Sequence, residues 1–121
     1  MSSLGRSSKA TYIALRITEL TSIPLFALLV LYIVSGYGIL NPLVVEVLTG
    51  LSYTEALRLH TSPVIRVAFI AIAITHTYAG FIVLINRRVG RYVKLSTILT
   101  GLITAITTYI LGLTILAEIT K

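Results

Sequence analysis

The stretch PVIRVAFIAIAITHTYAGFIVLIN, Pro63 to Asn86, decides the fold. At about 1.5 Å per helical residue it is long enough to cross about 30 Å of hydrocarbon, which needs roughly 20 residues. Arg66 and His76 are its only basic side chains, and it holds no acid. Lipid offers no partner for backbone N–H and C=O groups, so a segment of this kind must be helical, and the period-two alternation of a barrel strand is absent. His76 stands near its middle. An imidazole there is costly unless something rewards it, so an ionisable residue inside a span is read as a functional site, here a metal ligand.

Working outward, two more segments have the length and composition of a span: Leu20 to Leu40 and Leu95 to Ala117. The whole chain has 121 residues, 56% of them apolar and 12% charged, with a mean hydropathy of +0.97. Those values lie far outside the range of a soluble domain. The reading is one all-α transmembrane domain over residues 1–121, a three-helix bundle integral to the membrane, with a short interfacial helix between the first and second spans.

The net charge of +6 is placed as an orientation signal rather than a nucleic-acid surface. Arg6, Lys9 and Arg16 precede the first span, and Arg87, Arg88, Arg91 and Lys94 fill the link between the second and third. The other link, Asn41 to Ser62, sets Arg58 against Glu46 and Glu55. By the positive-inside rule the N-terminus and the basic link face the cytoplasm, and the first link and C-terminus lie outside. A plasma-membrane, multi-pass protein follows, its basic rim against anionic lipid headgroups and no nucleic acid among its partners.

Local signals fill in the remainder. Met1 to Ala10 is Ser-rich without an apolar core and reads as a loose cytoplasmic tail, not a signal peptide. Pro24 permits a kink in the first span, and Ser35-Gly36-Tyr37-Gly38 leading to Asn41-Pro42 reads as a helix stop. Ser52-Tyr53-Thr54-Glu55 has capping-box spacing. A short amphipathic helix to about His60 follows it, holding that histidine near the outer interface. Tyr32, Tyr37 and Tyr92 read as interfacial aromatic belts. In the third span Thr97, Gly101, Thr104, Thr108 and Gly112 form a small-residue stripe, the sort that packs helices closely in lipid.

Cofactor chemistry is bounded by what the chain lacks. Without cysteine, and with Met1 as the single methionine, His60 and His76 are the available neutral nitrogen ligands. Thiol-bound clusters and thiol-attached haem are excluded. Gly80, one turn beyond His76, removes a side chain where a flat macrocycle on that imidazole would approach the helix. Arg66 most simply snorkels to the interface; its sharper role is pairing with a haem propionate or with Glu55. On one continuous helix His60 and His76 would stand about 24 Å and about 160° apart, too far to share an iron. Two arrangements stay open: His76 meeting a ligand from another chain, or each histidine serving its own haem.

His76-Thr77-Tyr78-Ala79-Gly80 in a middle span, together with the size, three spans and N-in orientation, resembles the small haem-binding anchor subunit of the succinate dehydrogenase and fumarate reductase family. The resemblance covers the layout from about Arg66 to the C-terminus, with His76 and Gly80 as its motif. It implies a haem b with His76 as an axial ligand and the second ligand from a companion membrane subunit. It also implies a peripheral iron–sulfur or flavin module as partner and electron transfer with a quinone pool. Where many such anchors carry Asp-Tyr for the quinone, Arg87 and Arg88 stand instead. Anchors of other respiratory complexes fit the same residues. The competing classes are a cofactor-free structural subunit and a small proton or ion conductor using His76. Nothing in the chain forms a catalytic constellation of its own, and its Ile, Leu and Arg content without cysteine points to a thermophilic source.

Overall fold

A computed structural model describes residues 3–120. Among these, 91% are helical and none is in a strand. Five helices follow in order: α1 Ser3–Leu40, α2 Pro42–Thr49, α3 Tyr53–Thr61, α4 Pro63–Arg88 and α5 Val93–Ile119. Three stretches are long and apolar enough to cross a membrane, Lys9–Leu40, Pro63–Arg88 and Val93–Ile119. Each contains one of the segments read from the sequence and extends it, Pro63–Arg88 by two residues and the others by a turn or more.

The longest extension is at the N-terminal end. From Ser3 onward the residues read as a loose tail are helical; Met1 and Ser2 lie outside the described residues. Adding turns to an existing helix avoids the costly nucleation step, so a polar segment without proline is readily carried along. The helix runs through Pro24 without a break. It ends at Leu40 as the Asn41-Pro42 signal requires, but Pro42 also opens α2 from its first position, where the missing N–H costs nothing. That helix was not foreseen. Gly50 closes it at φ +75°, its N–H bonded to the Glu46 carbonyl, a left-handed conformation that favours glycine.

Helix α3 starts as its spacing dictates. Ser52 Oγ accepts from the Glu55 N–H, and the Glu55 carboxylate accepts from the Ser52 N–H at 2.9 Å and from its hydroxyl at 2.7 Å. Ser62 then separates it from α4, which begins at Pro63.

By contacts the chain divides into two compact units, one comprising residues up to Glu19 with Ile74 onward, the other Leu20–Ala73. In the second, α1 and α3 approach closely. Ala56 is 0% exposed, and a Cβ placed on Gly38 would stand 2.7 Å from the Ala56 Cβ and 3.5 Å from Val45 Cγ1. Only hydrogen at position 38 admits that packing. In the first unit the start of α1 meets the end of α4: Asn86 Nδ2 donates to Thr11 Oγ1 at 2.9 Å, and Ala14, Ala79 and Ile85 are buried. Helix α5 buries no residue. Its threonines 97, 104, 108 and 114 each bond the carbonyl four residues earlier, which satisfies the hydroxyls inside the helix.

Large apolar side chains face outward all along the spans, among them Ile23, Leu20, Val64, Val93 and Ile119, each more than 70% exposed. For a chain in water such surface is a liability; in lipid it is the appropriate solvent-facing surface.

Two measurements check these contacts. Gly38→Ala overpacks the α1–α3 approach and should lower stability in detergent by about 1–3 kcal/mol, whereas Gly112→Ala, whose added methyl meets nothing within 4 Å, should leave the thermal midpoint unchanged or raise it. The bonds from Ser52 hold the Glu55 carboxyl below its ordinary value of 4.5. A depressed carboxylate contributes stability above the unfolded value that is lost as pH falls through the folded one. Acid titration of α3 helicity from about pH 5 downward should therefore show a loss that Glu55→Gln abolishes.

Candidate functional site

Two histidines organise the polar chemistry, one in each compact unit. His60 sits in the last turn of α3 and is half-buried. Its Nδ1 is 3.1 Å from Ser35 Oγ, and Ser35, 1% exposed, donates its hydroxyl to the Tyr32 carbonyl at 3.2 Å. A serine has a single proton to give. With that proton directed at the carbonyl, Ser35 Oγ would accept from a hydrogen carried on His60 Nδ1, the arrangement that satisfies both contacts.

Around the same ring, Tyr32 lies edge-on at 5.0 Å between centroids, with the planes at 63°. Tyr32 also packs on Phe69 at 4.8 Å. It is thus a packing residue of α1 against α3 and α4, not simply a belt tyrosine, whereas Tyr37 is 61% exposed. Gly36 makes room for the imidazole: a Cβ there would come within 3.4 Å of His60 Cε1. The Ser-Gly-Tyr-Gly run, read from sequence as leading to a helix stop, is therefore a helical platform for α3.

Arg66 reaches back across the α3–α4 joint, with Nη1 3.5 Å from the Thr61 carbonyl, a long contact. Glu55 is occupied by its cap. Among the described residues the ion pair is Arg16–Glu19, at 3.2 Å and largely exposed, a type worth little in water. Arg66 takes part in a further interaction as well.

His76 lies in the middle of α4, half-buried and engaged by a neighbouring group. Gly80, one turn on, has open space where a Cβ would stand. By helical spacing His76, Gly80, Val83 and Arg87 share a face. That face opens into a cleft of about 370 Å³ lined by Leu15, Thr18, Gly80, Val83, Leu84, Arg87 and Arg88. Tyr78 points elsewhere, its hydroxyl 3.1 Å from Thr104 Oγ1. Beside that contact, α5 presents an open groove lined by Ser96, Thr97, Thr100, Gly101, Thr104 and Ala105. The small-residue stripe read as a packing face is thus largely uncovered within the chain.

These residues fit a haem better than a side-chain metal cage. Among the described residues no three of His, Cys, Asp or Glu cluster together. A porphyrin brings four nitrogens of its own and asks the protein for axial ligands alone, with flat access beside them. His76 is the side chain that could hold one, with open space for a Cβ at Gly80 one turn away.

The tautomer of His60 is directly measurable. Ring-nitrogen NMR of the labelled protein should show Nδ1 protonated and Nε2 bare, and Ser35→Ala should convert this to a mixture; an unchanged spectrum would remove Ser35 from the role of orienting group. No protein-family model, curated protein or solved structure matches this chain.

Proposed function

We propose that the chain is a membrane anchor and b-type cytochrome subunit of a respiratory oxidoreductase complex, with His76 as an axial ligand. The observation that carries this reading is an imidazole at the midpoint of a 26-residue apolar helix with an open notch one turn away. Burying a polar ring at that depth is disfavoured, and coordination of iron offsets the cost. The bound haem would supply one-electron carriage between a peripheral module and a quinone pool.

The chain's own residues divide the work. His76 would hold the haem iron, and Gly80 leaves open space on the helix one turn away. The apolar side chains around them exclude water, which disfavours the more positive oxidised state and raises the potential. In this reading the three long helices form a bundle in the plasma membrane with the basic link, residues 87–94, at the cytoplasmic face. Helix α3 lies at the outer interface, its capped N-terminus and Arg58 in the headgroups. The uncovered threonine–glycine face of α5 receives a companion membrane subunit, which brings the second axial ligand. This layout is the one that the resemblance to the succinate dehydrogenase and fumarate reductase anchors implies.

His60 plays a structural part here, since Ser35, Tyr32 and Gly36 account for its position without a metal. The reading therefore separates the two histidines. In the complex purified from its own membrane, His76→Ala should abolish the dithionite-reduced b-type α band contributed by this chain, and His60→Ala should leave it. An α band that survives His76→Ala overturns the assignment, and a preparation with no band at all leaves the chain a structural subunit.

A further inference from the structure

We infer that the cleft beside the end of α4 is a binding site for an anionic phospholipid, with Arg87 and Arg88 holding the phosphate and an acyl chain lying along Val83, Leu84 and the notch at Gly80. His76 is not among the residues that line the cleft, but Gly80 is, so the lipid and the proposed haem meet at that notch, and the arginine variants are what separate the lipid site from the haem reading.

The cleft has a chemical direction. Its five α4 residues, at positions 80, 83, 84, 87 and 88, follow the spacing of one helical stripe. The guanidinium end is thus separated from the glycine end by roughly 10–12 Å of apolar surface. Leu15 and Thr18 of α1 close the other side, and the Thr18 hydroxyl is turned away onto the Ala14 carbonyl, so it leaves little polarity in the apolar part. A ligand that matches must be charged at one end and hydrocarbon at the other.

The sign of the charge is fixed by the arginines. Both are exposed, and neither forms an ion pair among the described residues. From Arg87 to Lys94 there are four cations and no carboxylate. The carbonyl end of α4 itself repels an anion, so the guanidinium groups carry the attraction. Their forked N–H donors suit phosphate oxygens. A free phosphate would leave the apolar stripe unused, and an uncharged quinone would leave both guanidinium groups without a counterion. Basic pockets between membrane helices are favourable places for anionic headgroups.

The test is native mass spectrometry of the full chain in mild detergent with phosphatidylglycerol, phosphatidylcholine or inorganic phosphate added. Phosphatidylglycerol should be retained at least about tenfold better than phosphatidylcholine, since both offer a phosphate to the guanidinium groups but the choline cation of the second offsets its charge and is repelled by the arginines. The double variant Arg87→Gln/Arg88→Gln should remove that preference. Arg91→Gln/Lys94→Gln, which deletes the same charge outside the cleft, should keep it. Gly80→Leu retains every charge and fills the notch, so it should weaken phosphatidylglycerol too. Equal loss in the two charge variants would reduce the effect to diffuse attraction and overturn the site. Competition by phosphate at the lipid's own concentration would make it a simple anion site. Loss of haem absorbance with lipid retention unchanged in Arg87→Gln/Arg88→Gln would reassign the arginines to propionates. Undiminished lipid binding by Gly80→Leu would remove the acyl groove.

Discussion

A peptide group inside hydrocarbon has no water to bond, and the organisation of this chain follows from that constraint. Helices satisfy every N–H and C=O internally, so the chain can turn large apolar residues outward and hold a very small interior: Ala14, Ser35, Gly38, Val45, Ala56, Ala79 and Ile85. Small residues dominate that interior, with Val45 and Ile85 beside them, because association between helices in lipid depends on close van der Waals approach and a few hydrogen bonds, not on expelling water. Gly38 against Ala56, and Asn86 reaching Thr11, are the two forms that association takes here.

The same constraint gives each polar side chain inside the spans a specific task. Threonines of α5 return their hydroxyls to the helix backbone. Ser35 both bonds the Tyr32 carbonyl and contacts His60 Nδ1, which ties α3 to α1. His60 is thereby explained by protein atoms. His76, half-buried in the middle of α4 and itself engaged by a neighbouring group, has open space one turn away at Gly80, and it is to this histidine that the proposed iron is directed.

Much of the fold was legible in the sequence for a simple reason: hydropathy reports what a segment is dissolved in, and three segments here are suited only to lipid. The capping box at Ser52 was equally legible, because its partners are three residues apart. Contacts between helices were not. Nothing local in Ser35-Gly36-Tyr37-Gly38 says that His60 and Ala56 will pack there, and the run was read as leading to a break. Pro42 was read as a stop when it is also a start, since proline is equally at home before and within the first turn. Of the proposed site, His76 was singled out as an imidazole within an apolar stretch and Gly80 by its spacing from it, while the cleft at Gly80 required Leu15 and Thr18 from a helix more than sixty residues earlier.

The most direct measurement is a pyridine haemochrome assay on the chain purified, with its membrane partners, from its own membrane, combined with EPR of nitrogen-15 histidine-labelled protein. The account predicts haem b in stoichiometric amount with its iron coupled to an imidazole nitrogen that is lost when position 76 is alanine. Protein of full occupancy in its complex that contains no haem, or whose haem signal is indifferent to position 76, would contradict it.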